Sequence, residues 1–261
     1  MKPILHFSHA NGFPGGSYQV ILDALAQDYD VRVVDRIGHH PDFPVTNNWP
    51  HLEQEMIEYF EKNYTEPVIA VGHSLGGILS LRLAYKRPDL IKAVLVLDVP
   101  ALSAIEAKGL RLIKWLGMMD KVTPASRMDG RRNLWANAEE AVAYFRGKKL
   151  MSQFDERCLR AYVQAGTVAC EGGVRLHFDP KVEQAIYRTI PDNLVLKKPL
   201  GVPVAAIGGQ QSSVFTKSQA ARMKNKLKIN FEWLPGTHMF PLEYPDATAA
   251  TIKKLLKEMT A

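Results

Sequence analysis

The chain has 261 residues, of which 46% are hydrophobic and 23% are charged, and these proportions lie close to those of ordinary globular domains. They exclude a disordered or fibrous chain, and the length suits one α/β domain, with or without an insertion. The formal net charge is +6, but basic excess alone does not predict nucleic-acid binding, and the sequence contains no motif for it.

The first residues contain no apolar stretch long enough for a signal peptide or a membrane helix, because His6 and His9 interrupt them. We therefore expect a cytoplasmic protein without stable membrane insertion, as a monomer or a homodimer. The two cysteines, Cys158 and Cys170, belong to no ligand-spaced cluster, so reduced thiols are expected rather than a disulfide or a zinc site.

Short apolar runs alternate with longer amphipathic runs, which is typical of a parallel sheet covered by helices on both faces. The runs rich in Val, Ile and Leu predict strands at 4–8, 31–35, 68–72, 93–97, 204–208 and 229–234. The amphipathic runs predict helices at 17–27, 49–63, 75–86, 213–227 and 246–259. The sequence therefore predicts an α/β fold with a mostly parallel sheet.

The alternation stops between Pro100 and Lys198, where the sequence predicts several helices and no convincing strand. Prolines mark the entry at Val99-Pro100 and the return at Lys197-Lys198-Pro199 and Val202-Pro203. The simplest interpretation is a helical cap, residues 100–198, inserted into a core of residues 1–99 and 199–261.

The predicted cap is basic. Between Lys108 and Lys149, ten Lys and Arg residues occur with four Asp and Glu residues. Such a run is usually a solvated helix face, and the alternative is attraction of an anionic substrate or a membrane surface.

Residues 71–77 read Val-Gly-His-Ser-Leu-Gly-Gly and contain Gly-x-Ser-x-Gly between a predicted strand and a predicted helix. A serine on such a sharp turn needs Gly72 and Gly76, because larger side chains would collide with the facing backbone. The helix that follows points free N–H groups at the serine, so Leu75 is a candidate oxyanion donor. We expect Ser74 to be a nucleophile; a glycine turn with an incidental serine is the alternative.

A serine hydroxyl needs a neighbouring base, usually a histidine, and the base needs an orienting partner. Only His177 and His238 follow Ser74 in the sequence. His177 falls within the predicted cap, whereas His238 follows the last predicted strand, at the edge of the sheet that carries Ser74. We therefore predict that His238 is the base, with a structural histidine as the alternative.

Three segments together resemble the α/β-hydrolase family over nearly the whole chain. At 7–15, 72–77 and 236–243 they read Phe-Ser-His-Ala-Asn-Gly-Phe-Pro-Gly, Gly-His-Ser-Leu-Gly-Gly and Gly-Thr-His-Met-Phe-Pro-Leu-Glu. The resemblance implies an α/β-hydrolase fold with a helical cap, and a second oxyanion N–H from the first loop. That loop has extra residues where family members have His-Gly, so the donor is Phe13 in the first place and Asn11 in the second. A plain connection between strand and helix is the alternative.

The orienting acid departs from the family pattern. Members commonly carry an Asp in the loop after the strand predicted at 204–208, but this loop, at 209–213, contains no carboxylate. Some members take the acid from the end of the preceding core strand, where this chain has Asp98. We therefore predict that Asp98 orients His238, the alternative being a residue that only forms the turn at the strand end.

The resemblance implies a capped serine esterase, similar to lipases, that hydrolyses a small-molecule ester through an acyl-enzyme on Ser74 without a metal or organic cofactor. Ser74 argues against dehalogenases and epoxide hydrolases, which use a carboxylate nucleophile. Thioesterases, lactonases, carbon–carbon bond hydrolases and haloperoxidases share the serine arrangement and stay open, as does a ligand-binding member that has lost catalysis.

Aromatic and sulfur-containing side chains of the cap are candidates for an acyl pocket, although such residues more often form the core of a lid. We predict that the pocket includes Trp115, Met118, Trp135, Phe145 and Phe154.

A metal site built from His39-His40 with His9 or His51 has no ligand spacing in its favour, so a solvated loop is expected there.

Overall fold

The computed structural model describes residues 2–100, 102–193 and 199–260, without the side chains of Lys226, Leu227 and Thr260. Its strands are β1 (Ile4–Ser8), β2 (Asp30–Val33), β3 (Val68–His73), β4 (Ile91–Leu97), β5 (Leu134–Trp135), β6 (Thr167–Cys170), β7 (Gly173–Leu176), β8 (Val204–Gly209) and β9 (Asn230–Leu234). The helices are α1 (Gln19–Ala26), α2 (Pro50–Asn63), α3 (Leu75–Lys86), α4 (Ala104–Trp115), α5 (Met119–Val122), α6 (Ala138–Arg146), α7 (Glu156–Gly166), α8 (Pro180–Arg188), α9 (Lys217–Leu227), α10 (Phe240–Glu243) and α11 (Pro245–Thr260). Within these residues, no helix combines the length and the apolar character needed to cross a membrane.

Six strands form one parallel sheet in the order β2-β1-β3-β4-β8-β9. Side chains alternate between the two faces of a strand, and both faces of this sheet are buried. On β1, Leu5 and Phe7 pack into a core shared with α1 and α11, while on β3 Val68 and Ala70 pack into a core with α2, α3 and α9. The prediction of an α/β fold with helices on both faces of a parallel sheet is therefore confirmed.

The segment 102–193, called the inserted segment below, separates β4 from β8. It contains α4 to α8. The expectation that it lacks strands is wrong, because β5, β7 and β6 form a small antiparallel sheet in that order. The predicted return boundary at Lys197-Lys198 lies outside the described residues.

Two buried histidines lie at the start of the chain, His6 on β1 and His9 in the loop that follows it. Both rings are fully buried: His6 contacts the hydroxyl of Tyr64 through Nδ1 at 2.7 Å, and His9 uses both nitrogens, accepting from the N–H of Ile37 and donating to the carbonyl of Ala10. Burial, with a smaller contribution from His9, lowers the pKa of His6 to about 3, and burial lowers the pKa of His9 to about 4. Both rings are therefore neutral in the folded protein at neutral pH.

Acid should destabilise the fold through these two histidines. The unfolded chain protonates these histidines near pH 6.5, whereas the folded chain does not until about pH 4, so unfolding takes up protons in that window. We expect the free energy of unfolding to fall below pH 6.5, by roughly 1 kcal/mol per pH unit for each ring. Burial raises the pKa of Glu55 to about 7, so this carboxyl opposes the effect of one ring, while the low pKa of His73 adds to the effect of the two rings. Urea unfolding at a series of pH values from 7.5 to 5 measures this slope; a stability that stays level down to pH 5 would contradict it.

Candidate functional site

Ser74 lies on the turn between β3 and α3. Its backbone has φ 50° and ψ −111°, a strained conformation for a residue with a side chain. The flanking glycines allow close backbone contacts: a Cβ on Gly72 would lie 2.5 Å from backbone atoms of Gly76, and a Cβ on Gly76 would overlap the carbonyl of Ser8. The Gly-x-Ser-x-Gly spacing therefore has a steric cause in this fold.

Two candidate oxyanion donors near Ser74 have a backbone N–H without an acceptor in the part of the chain that the structure describes. One belongs to Leu75, the first residue of α3, where the next N–H, that of Gly76, donates to the carbonyl of His9 at 3.1 Å. The other belongs to Asn11, in the loop after β1, which lines the same cavity as Ser74. Free donors at a helix start and in an adjacent loop are the arrangement that an oxyanion requires.

Phe13 was predicted ahead of Asn11 as the second donor, and the geometry favours the reverse order. The loop closes a turn in which the Phe13 N–H donates to the carbonyl of Ala10 at 3.1 Å. An N–H held in such a bond is not free for a ligand. Gly12 has φ +79° in this turn, which brings the chain back towards Ala10.

His238 follows β9, and its ring contacts the carboxylate of Asp98. Nδ1 of His238 lies 2.7 Å from Oδ1 of Asp98, which is fully buried at the end of β4. A carboxylate only accepts, so Nδ1 carries the proton and Nε2 of the neutral ring is free to accept one. His238 and Ser74 line the same cavity. The other downstream histidine, His177, lies 3.3 Å from Asp35 and does not line that cavity.

The loop after β8, which has no carboxylate of its own, binds that of Asp98 instead. The N–H of Gly209 donates to Oδ2 at 2.8 Å, and the hydroxyl of Ser212 donates to Oδ1 at 2.6 Å. With Nδ1 of His238, three donors surround this buried carboxylate. A buried charge is tolerated only when it is paired and hydrogen-bonded, as here.

A second histidine, His73, is hydrogen-bonded both to the loop of His238 and to Tyr18. His73 precedes Ser74, and its Nε2 donates to the carbonyl oxygen of His238 at 2.9 Å, so its Nδ1 accepts from the hydroxyl of Tyr18 at 2.7 Å. The Tyr18 oxygen in turn accepts from the N–H of Ala10 at 3.3 Å. Burial, and then the proximity of His238, hold the pKa of His73 well below its usual value, so this ring stays neutral.

Tyr18→Phe tests this connection between the loop after β1 and the histidine loop. The substitution removes one buried hydroxyl and leaves the N–H of Ala10 and Nδ1 of His73 without partners. Each unpaired group costs about 1–3 kcal/mol, so we expect a loss of about 2–4 kcal/mol in the free energy of unfolding. Urea unfolding measures it, with Tyr85→Phe as the control because Tyr85 is 57% exposed. Equal stability of the two variants would contradict the connection.

A cavity of about 630 Å³ opens between the sheet edge and the inserted segment. Ser74, His238, Asn11 and Phe13 line its core side. The inserted segment contributes Pro124, Arg127, Met128, Asp129, Gly130, Arg131, Arg132, Tyr144, Phe145, Lys148, Lys149, Leu150, Met151, Glu183 and Tyr187. The cavity is therefore lined by both aromatic and charged side chains.

One of the five predicted pocket residues, Phe145, lines this cavity. The prediction is wrong for the others: Trp115 is 79% exposed, and Met118 is half-buried outside the lining. Trp135 and Phe154 are buried in the core, where Trp135 packs on Phe145 and Phe154 packs on Phe13. Aromatic character alone does not distinguish a core position from a pocket position.

Glu183 on α8 forms a buried ion pair and also contacts the loop that carries Asn11. Arg131 donates to the carboxylate of Glu183 at 2.7 Å and to the hydroxyl of Tyr162 at 2.9 Å. The side-chain amide of Asn11 donates to the backbone carbonyl of Glu183 at 2.9 Å. Long-range contacts of this kind leave no signal in the sequence, so Arg131, Glu183, Tyr18 and His73 were not among the predicted site residues.

A larger and more open depression, of about 950 Å³, lies elsewhere on the surface beside His39 and His40. The described residues contain no group of three or more His, Cys, Asp or Glu side chains placed to hold a metal ion. The depression contains neither Ser74 nor His238.

Comparisons with known proteins agree with this architecture. A family model described as the alpha/beta hydrolase family matches residues 7–251. The chain is 27% identical over 197 residues to lipase LipV of Mycobacterium tuberculosis (strain ATCC 25618 / H37Rv), covering 73% of this chain and 69% of the lipase. It is 24% identical over 168 residues to the type I acyl-CoA thioesterase mpaH of Penicillium brevicompactum, covering 58% of this chain. That match spans only 37% of the length of the thioesterase.

Among solved structures, the crystal structure of E-2-(acetamidomethylene)succinate hydrolase superposes on this chain with a TM-score of 0.79. The superposition covers 98% of this chain and 92% of that one, at 20% sequence identity. At this identity the likeness establishes a shared fold.

Proposed function

Because the chain belongs to the alpha/beta hydrolase family, we propose that it is a serine hydrolase that cleaves carboxylic esters through an acyl-enzyme on Ser74. The observation that carries the proposal is one constellation on one cavity: Ser74 on a strained turn, and His238 held by a buried Asp98. A nucleophile beside a base, with the base oriented by a third group, is the arrangement that acyl transfer to serine requires.

In the first step, Oγ of Ser74 attacks the ester carbonyl carbon while its proton passes to Nε2 of His238. The carbonyl oxygen becomes an oxyanion, which accepts from the N–H groups of Leu75 and Asn11. Collapse of the tetrahedral intermediate breaks the bond to the alkoxy oxygen, and His238 returns the proton to the leaving alcohol. Asp98 is a positioning residue, which fixes the tautomer and stabilises the imidazolium.

In the second step, a water molecule loses a proton to His238 and attacks the acyl carbon on Ser74. The same N–H groups stabilise the second oxyanion. The bond to Oγ breaks, the serine regains its proton from His238, and the carboxylic acid leaves. No resident metal or organic cofactor takes part in these steps.

Thioester hydrolysis is the second candidate. Its two steps are the same, except that a thiol leaves in place of the alcohol. The relationship to a protein named an acyl-CoA thioesterase supports it. Ester and thioester substrates with the same acyl group distinguish the two candidates by their kcat/KM.

A fluorophosphonate probe, read by intact mass, tests the proposed nucleophile directly. We expect one adduct on the wild type, none on Ser74→Ala, and an unchanged adduct on Ser213→Ala, since Ser213 is another serine that lines the cavity. In parallel, p-nitrophenyl esters of graded chain length should be hydrolysed by the wild type. A folded wild type that neither reacts with the probe nor hydrolyses any ester would contradict the proposal and favour a ligand-binding protein.

A further inference from the structure

Positive charge is concentrated on the inserted side of the cavity that contains Ser74. Five cationic side chains and two carboxylates line it. The cations are Arg127, Arg131, Arg132, Lys148 and Lys149, and the carboxylates are Asp129 and Glu183.

Two of the five cations have carboxylate partners. Arg131 pairs with the buried Glu183, and Arg132 pairs with Glu140 on α6. These pairs hold the inserted segment together, so their charges are largely compensated.

The other three cations have no such partner. Among the described residues, no carboxylate forms an ion pair with Arg127, Lys148 or Lys149. The ammonium of Lys148 lies 4.0 Å from the centre of the Tyr144 ring, which leaves its charge uncompensated. The remaining carboxylate, Asp129, accepts a hydrogen bond from Gln184 and forms no ion pair with a described residue, so it offsets at most one of the three cations.

The three cations come from separate parts of the inserted segment. Arg127 lies in the short turn of 3₁₀ helix Pro124–Met128, whereas Lys148 and Lys149 follow α6. All three are exposed, and all three line the cavity that contains Ser74. A concave site with an excess of positive charge concentrates anionic ligands.

We propose that the substrate carries an anionic group, a carboxylate or a phosphate, which Arg127, Lys148 and Lys149 bind while Ser74 attacks its ester or thioester carbonyl. This inference rests on the proposed function and adds the substrate class to it. Apolar side chains such as Phe145, Leu150 and Met151 line the same cavity and suit a hydrocarbon stem between the two ends of the substrate.

Matched pairs of substrates that differ in charge test the proposal. The carboxylate pair is p-nitrophenyl hydrogen adipate and its neutral methyl ester. The phosphate pair is hexanoyl-coenzyme A and the hexanoyl thioester of N-acetylcysteamine. We expect kcat/KM to be at least about tenfold higher for the anionic member of one pair, and the preferred pair identifies the anion. In about 1 M salt, where the Debye length is about 3 Å, this preference should fall towards one.

The variant Arg127→Gln/Lys148→Gln/Lys149→Gln should lose most of that preference, because its kcat/KM for the anionic member should fall far more than its kcat/KM for the neutral member. Lys108→Gln on α4 is the control for a charge removed elsewhere, because Lys108 is exposed and does not line the cavity. Equal kcat/KM for both members of both pairs, or a preference that survives in the triple variant, would overturn the inference.

A binding measurement keeps this test independent of turnover. Calorimetry on Ser74→Ala should detect binding of adipic acid monoamide, which is anionic, and much weaker binding of neutral hexanamide. When the three charge substitutions are added to Ser74→Ala, this difference in binding should be lost. Fluorophosphonate reaction and neutral-ester hydrolysis without any charge preference would refute the substrate class alone. Absence of reaction with the probe and of all turnover would refute the proposed function, and the calorimetry would still decide whether the cavity binds anions.

Discussion

Ser74→Ala and His238→Ala are each expected to lower kcat for ester hydrolysis by about 10⁶-fold, and the double variant is expected to fall no further. The two groups act as a unit, since the hydroxyl without its base is a weak nucleophile and the base without the hydroxyl has no proton to accept. Both line the cavity, with Nε2 of His238 free because Nδ1 binds Asp98. Initial rates with p-nitrophenyl butyrate, on protein checked for folding by urea unfolding, measure the three losses.

His177→Ala serves as the matched control, since it removes the other downstream histidine, which lies against Asp35. It should keep the wild-type kcat. If either Ser74→Ala or His238→Ala kept more than about one hundredth of the wild-type kcat, or if the losses multiplied in the double variant, the proposed pair would be wrong. Residual hydrolysis in the double variant should come from the oxyanion donors and from binding alone.

The main sheet could be predicted because its strands are buried on both faces and therefore read as continuous apolar runs. β1 was predicted to the residue, and β3, β4, β8 and β9 were predicted to within two residues at either end. The strand predicted at 31–35 is instead Asp30–Val33, a partly exposed edge strand that pairs only with β1, so its apolar pattern is weaker.

Helix α9 begins at Lys217 and not at residue 213 as predicted, because side-chain hydrogen bonds hold the preceding residues in a turn. The hydroxyl of Ser212 accepts from the N–H groups of Val214 and Phe215 and holds them in a turn, and Thr216 then caps the helix. A serine side chain can support either a turn or a cap, so the sequence does not decide between them.

The strands of the inserted segment were missed although one of them left a signal. β6 and β7 are joined by Glu171-Gly172, and Gly172 has φ +82°, the conformation that a tight turn requires. A glycine turn between two short runs with β-branched residues is typical of a hairpin. The strands are only two to four residues long, so helical pattern dominates the segment around them.

The candidate site residues could be predicted where a turn or the edge of the sheet fixes them, and not where the packing of the inserted segment does. Ser74 follows from its glycines, and the pairing of Asp98 with His238 follows from two strand ends on one edge of the sheet. The cavity lining depends on how the inserted segment packs, which is why Trp115 is at the surface. Asn11 is favoured over Phe13 as the oxyanion donor because the N–H of Phe13 donates to the carbonyl of Ala10, a hydrogen bond that the sequence does not predict.

Asp98→Asn should lower kcat by about 10⁴-fold, as in serine proteases in which the same change stabilises the wrong histidine tautomer. If the new amide nitrogen faces His238, Nδ1 must accept its proton, so Nε2 carries the ring proton and cannot act as a base. If the amide nitrogen instead faces Gly209, two donors face each other, and the loop that binds the carboxylate in the wild type is disrupted. Asparagine is the substitution of choice because residue 98 has φ 50°, which asparagine tolerates well.

Two further measurements separate the role of Asp98 in orienting His238 from a role in the fold alone. Fluorophosphonate reaction of Asp98→Asn should slow along with kcat, since both depend on the base at Ser74, while KM for a neutral ester should change little. Ser212→Ala removes a different donor to the same carboxylate and should destabilise the fold by about 1–3 kcal/mol with a far smaller loss of kcat. A loss below tenfold in Asp98→Asn would contradict its role, because the histidine would then act in a dyad whose tautomer Asp98 does not control.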